Sequence, residues 1–108
     1  MKKIGFLSFG HYRNVPGARV RTGGDSLRQS VELAVAAEQA GMDGAWFRVH
    51  HFEKSLGAPT ALLAAAGART STIDLGTGVV DMRYENPLTL AENIASADLI
   101  SQGRVQLG

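Results

Sequence analysis

Four short apolar runs, each separated from the next by a longer helical pattern, constrain this chain more than any other feature. The runs are Lys3–Phe9, Gly44–Val49, Ser71–Val80 and Arg104–Gly108. Asp25 or Ser26 is placed to open a first helix, and Gly41 to end it. A second helix spans Thr60–Arg69 behind Pro59, and a third follows Asn86-Pro87 and stops near Gly103. The order is β-α-β-α-β-α-β. Strands that alternate with helices pair in parallel, joined by right-handed crossovers. The first run is short and apolar and ends at Gly10, so it is expected to be buried on both faces. Leu27, Val31, Ala34 and Val35 recur at helical spacing as the expected buried stripe of the first helix. Two architectures fit, an open doubly wound sheet or part of a (β/α)8 barrel. In both, ligands bind at the carboxyl ends of the strands.

Composition narrows the function classes. Cysteine is absent, so disulfides, thiolate metal sites and a cysteine nucleophile are excluded within these residues. The net charge of +1 argues against nucleic acid as the main partner. No uncharged apolar run approaches the ~18 residues of a membrane span, so no membrane contact and a cytoplasmic location are expected. The charge is uneven: residues 1–30 hold six basic side chains against the single acid Asp25.

Three features are candidates for chemistry. His50-His51 stands where the second strand runs into a loop, and a histidine there can exchange a proton near neutral pH. Neighbours in extended chain point to opposite sides, so one of the two is expected to face a cavity while the other packs in the wall. No carboxylate at ligand spacing completes a metal site, and none is expected. The second feature is Gly76-Thr77-Gly78. It has the first half of a dinucleotide fingerprint but lacks the closing glycine, since residue 81 is Asp, and it lies in the third strand. Two glycines in a strand suggest close approach of backbone or ligand. The third is the loop Gly10–Gly24, whose Arg13, Arg19 and Arg21, with His11 and Tyr12, are suited to an anionic group. Each feature also has an ordinary reading: structural histidines, a strand that tolerates tight packing, a solvated loop.

Taken in order, longer stretches carry a resemblance. Ala37-Glu38-Gln39-Ala40-Gly41-Met42-Asp43-Gly44-Ala45-Trp46-Phe47, then His50-His51-Phe52, resembles the bacterial luciferase-like monooxygenase family. So do Ala58-Pro59 with Leu62-Leu63-Ala64-Ala65, Ala68-Arg69-Thr70-Ser71, Leu75-Gly76-Thr77-Gly78-Val79-Val80, Asn86-Pro87-Leu88 with Ala91-Glu92, and Gly103-Arg104-Val105-Gln106-Leu107-Gly108. The resemblance implies the N-terminal half of a (β/α)8 barrel, with about four parallel strands alternating with three helices. It implies a flavin-dependent oxidoreductase, a monooxygenase using reduced FMN and oxygen on a small organic substrate, with a flavin reductase as a possible electron donor. A deazaflavin-dependent hydride transfer is the alternative.

By position, the family's proton-handling histidine falls on His50, with His51 as fallback and as a cofactor-side residue. The family's cis peptide bond behind the flavin ring falls on Gly78–Val79, which makes both residues cofactor-binding candidates. One departure stands out: many members have Glu before the histidine pair, and this chain has Val49.

A barrel of this kind takes roughly 200 residues or more, so residues 1–108 are expected to form a single incomplete domain, inactive alone. Its open sheet edges suggest a homo-oligomer. A non-catalytic flavin-binding protein and an independent small open-sheet domain that binds a partner remain as other readings.

Overall fold

The structure is a computed structural model and describes residues 2–108. Four parallel strands lie side by side in the order β1-β2-β3-β4: β1 (Gly5–Ser8), β2 (Gly44–Phe47), β3 (Asp74–Thr77) and β4 (Val105–Gln106). The connecting helices are α1 (Gly23–Gln39), α2 (Pro59–Arg69) and α3 (Pro87–Ile100), with a one-turn 3-10 helix at Met82–Tyr84. Neighbouring strands are consecutive in sequence, the order of a barrel and not of a doubly wound sheet, whose strand order reverses.

Helix α1 begins earlier than the expected Asp25 or Ser26. Thr22 is the N-cap: its hydroxyl accepts from the Asp25 amide at 3.0 Å, and the Asp25 carboxylate accepts from the Thr22 amide at 3.2 Å. This reciprocal capping box also takes the Arg21 amide. Amides from Arg21 and Thr22, with the Thr22 hydroxyl, hold the Asp25 carboxyl below its ordinary range.

The buried stripe of α1 is Ser26, Ser30, Ala34 and Ala37, whereas Leu27 is exposed and Val31 and Val35 are half-buried. Small residues let the helix lie close on the sheet. Both serines satisfy their hydroxyls on carbonyls, Ser26 on Gly10 at 2.6 Å and Ser30 on Ser26 at 2.9 Å.

Helix α2 starts at Pro59 and buries Leu62, Leu63, Ala66 and Gly67. A Cβ on Gly67 would stand 2.8 Å from the Ser101 Cβ, so glycine sets how closely the end of α3 approaches α2.

All three helices cover one face of the sheet. Ala45, Phe47, Ile73 and Leu75 form the core there with Leu62, Leu63 and Ala66, and Phe6 meets Phe47 edge to face. The other face is bare. In β1, Gly5 and Leu7 are exposed and only Phe6 and Ser8 are half-buried, so that strand is not buried on both faces. It is an edge strand, paired only with β2, and its inner side has no covering layer among the described residues.

On the inner face Leu7, Trp46, Gly76 and Gln106 stand in one register row. The indole of Trp46 lies across it. A Cβ on Gly44 would sit 1.7 Å from Trp46 Cζ3, and one on Gly76 would sit 2.4 Å from Trp46 Nε1. The glycine at 76 therefore answers to a neighbouring side chain.

β3 is shorter than the expected Ser71–Val80. At its start the amides of Ser71, Thr72 and Ile73 donate to the Glu38 carboxylate and not to a strand. At its end the Gly78–Val79 peptide bond is cis.

Candidate functional site

The carboxyl ends of the strands are tied together by backbone hydrogen bonds that run past the sheet proper. Arg48 N donates to Ser8 O at 2.9 Å, Gly78 N to Phe47 O at 2.8 Å and Val80 N to Gly108 O at 2.8 Å. The two loops above them are also joined. Leu56 is buried against Gly10, where a Cβ would come 2.2 Å from Leu56 Cγ. The Ser55 hydroxyl donates to Phe9 O, Tyr12 N to Lys54 O at 3.3 Å, and His50 N to Leu56 O at 2.8 Å. These contacts seat His50 at the rim of the sheet.

Two clefts open there. One, of about 380 Å³, is lined by His11, Tyr12, Arg13, Arg48, His50, Glu53 and Lys54. The other, of about 410 Å³, is lined by Arg48, Val49, Gly78, Val79, Val80, Asp81 and Met82. Arg48 belongs to both. Its guanidinium lies 5.2 Å over the Phe9 ring, which in turn stacks on His11 with centroids 6.0 Å apart.

The structure thus brings His50, Gly78 and Val79 to neighbouring clefts. Part of the basic loop joins them: His11, Tyr12 and Arg13 line the first cleft, while Arg19 and Arg21 do not. Arg21 is turned back on its own loop, its Nε donating to Ala18 O at 2.8 Å.

The histidine pair diverges. His50 is exposed in the first cleft. His51 lines neither cleft and packs among aromatic rings, 5.1 Å from Tyr84 and 5.9 Å from Phe52 by centroids. Its Nε2 is buried without a partner, the one such side-chain atom among the described residues.

Beside it, Asp81 is held by Arg83 through contacts of 2.7 and 3.0 Å. Side-chain and backbone hydrogen bonds from Arg83 bring the Asp81 carboxyl down to about 2. Asp81 therefore stays charged across the neutral range. Sequence patterning did not single out Tyr84, Phe52 or this ion pair, because they meet only when the second and third loops fold together. Among the described residues no three histidine, aspartate or glutamate side chains cluster as a metal site would require, and no helix is long and apolar enough to cross a membrane.

A sequence profile described as "Luciferase-like monooxygenase" matches residues 4–108. The chain belongs to that family. Its relatives divide between two cofactor chemistries. An F420-dependent glucose-6-phosphate dehydrogenase of Nocardia farcinica is 41% identical over 88 residues, covering 75% of this chain and 26% of that protein. The oxygenase component of a flavin-dependent trigonelline monooxygenase of Acinetobacter baylyi is 34% identical over 82 residues, covering 74% and 23%. Among solved structures, the monooxygenase RslO1 from Streptomyces bottropensis superposes with a TM-score of 0.83 at 33% identity, over 99% of this chain and 32% of that one. This luciferase-like chain therefore spans about a quarter of the length of those curated relatives.

Proposed function

We propose that this chain supplies half of the active site of a flavin-dependent monooxygenase that uses reduced FMN and oxygen on a small organic substrate. The observation that carries the reading is the convergence of His50 with the Gly78–Val79 wall on two clefts that share Arg48.

The residues fit such a cofactor. Val79 is 64% exposed, and with Gly78 and Val80 it offers an apolar wall for a planar ring. The exposed His50 imidazole, in the adjoining cleft, places a polar group within reach of a ligand seated there. When bound, the flavin supplies reducing equivalents, with oxygen in a monooxygenase or as a hydride from a deazaflavin. The chain's own tasks are to hold the ring against Gly78–Val79, to exclude water with the Leu56-pinned loops, and to move one proton at the His50 imidazole. His51, packed against Tyr84 and Phe52 and lining neither cleft, would serve the cofactor side only as part of the wall behind it. A separate flavin reductase is the proposed electron donor.

We further propose that residues 1–108 alone do not turn over, because their clefts are walled on one side only, and that copies associate through the edges of β1 and β4. Light scattering that shows a clean monomer contradicts the association.

The test is oxygen uptake by the complete protein with reduced FMN and, in parallel, substrate reduction with reduced F420. His50→Ala is expected to lower kcat by about 100-fold or more while flavin binding persists. Full activity in that variant would remove His50 from the proton-handling role. Turnover with F420 alone would assign the deazaflavin chemistry instead.

A further inference from the structure

Five arginines and one lysine near the sheet can be sorted by what their charged groups touch. Arg28, Arg69 and Arg83 pair with Asp25, Glu32 and Asp81, and Lys3 approaches Asp74 at 4.0 Å. Arg104 is half-buried and donates to the carbonyls of Gly67, Thr70, Ile73 and Ser101 and to the Thr70 hydroxyl. Arg48 is half-buried too, yet among the described residues its guanidinium has no hydrogen-bond or ion-pair partner. Its guanidinium carbon lies over the ring of Phe9, 5.2 Å from the centroid.

That geometry has a consequence for binding. The ring holds the guanidinium carbon in place, and its N–H groups, unpaired among the described residues, are free to donate. The stack is itself held, since Phe9 rests on His11 and the Phe9 carbonyl receives the Ser55 hydroxyl. Such a fork matches the two oxygens of a carboxylate or phosphate in parallel hydrogen bonds.

No carboxylate among the described residues takes the place. Asp81, across the second cleft, is held by Arg83. Glu53 lines the first cleft but is not paired with Arg48, and it faces three cations there, Arg13, Arg48 and Lys54. A half-buried cation without a partner is costly, and an anionic ligand removes the cost.

We propose that Arg48, supported by Arg13 and Lys54, receives an anionic group, a carboxylate or a phosphate, carried by the substrate. The assignment rests on the flavin-site reading for what the ligand is, though not for the charge it bears. Arg48 stands between His50 and the Gly78–Val79 wall, beside the reacting centre. FMN also carries a phosphate, separated from its ring by the ribityl chain, and the flavin titrations below distinguish that phosphate from a substrate anion.

The probes are benzoate and its neutral isostere benzamide, titrated calorimetrically into the complete protein. Benzoate is expected to bind at least about tenfold more tightly. Arg48→Met is expected to abolish that preference, and Arg48→Lys to keep part of it, since charge remains but the fork is lost. If Arg48→Met does not fold, the double variant Arg13→Gln, Lys54→Gln is expected to lower the preference at least about threefold. Equal affinity for the two probes, or a preference that survives Arg48→Met, overturns the proposal. FMN and riboflavin are titrated into the same proteins. A drop in the FMN-to-riboflavin affinity ratio in Arg48→Met would assign the arginine to the cofactor phosphate and overturn the substrate assignment. If the unaltered protein binds neither flavin, the flavin reading fails by itself, and the benzoate preference still decides the role of Arg48.

Discussion

Arg104 and Arg48 sit at opposite ends of the same parallel sheet, both half-buried, and they are used in opposite ways. At the amino end, Arg104 ties the last turns of α2 and α3 to the start of β3 through acceptors 2.6 to 3.0 Å away. Nearby, Glu38 at the end of α1 gathers the amides of Ser71, Thr72 and Ile73 and the Thr72 hydroxyl. Polar groups at this end are engaged by the protein itself. At the carboxyl end, Arg48 and His51 Nε2 have no polar partner and His50 is open to a cleft. Charged and polar groups left without partners lower stability. Their concentration at one end of the sheet supports the proposal that ligands bind there.

The largest effect is expected from Arg104→Met. It strands several carbonyls, so unfolding in urea should show a loss of about 3 kcal/mol or more. A loss below about 1 kcal/mol would mean that the amino end is no more engaged than the other.

Glu38→Gln should cost less, about 1–2 kcal/mol, since the amide oxygen still accepts but the charge is gone. It also carries a pH signature. Burial raises the Glu38 carboxyl, but the amides of Thr72, Ser71 and Ile73 outweigh it and bring the group from 4.5 to about 2. A carboxyl depressed on folding binds fewer protons in the native state, so its contribution is complete above about pH 4.5 and is lost as the pH falls toward 2. Urea midpoints measured across that window should fall in the native chain and fall less in Glu38→Gln.

The smallest effect belongs to the carboxyl end. His50→Ala and Arg48→Met should each change stability by no more than about 0.5 kcal/mol, because neither side chain anchors another element. A large loss in either variant would give that end a structural role and erase the contrast.

Much of the scaffold was legible because periodicity and caps are local. Pro59, Asn86-Pro87 and Gly41 marked helix ends that the structure retains, and the alternation of strand and helix named the parallel sheet. The start of α1 was misplaced because Thr22 and Asp25 cap each other reciprocally, and reading Asp25 as the cap puts the first turn too late. Leu27 was misassigned to the core because apolar spacing was followed, while the sheet demanded the small stripe of Ser26, Ser30, Ala34 and Ala37. The bare inner face of β1 was missed for a related reason: an apolar run shows that burial is favourable, not which layer supplies it.

At the site, His50 and Gly78–Val79 were marked by resemblance, and the opposite directions of the two histidines by strand geometry. The partners of Arg104, the amides around Glu38 and the His51–Tyr84 contact were not legible. They join residues more than thirty positions apart through side-chain reach that no spacing rule encodes.

The most direct measurement is a crystal structure of the complete protein with FMN bound. The ring is expected in van der Waals contact with Val79, on the side of the sheet that carries Trp46, with the His50 imidazole facing the space above it. A ring bound at the amino ends of the strands, or on the helix-covered face away from Gly78 and Val79, would contradict that placement.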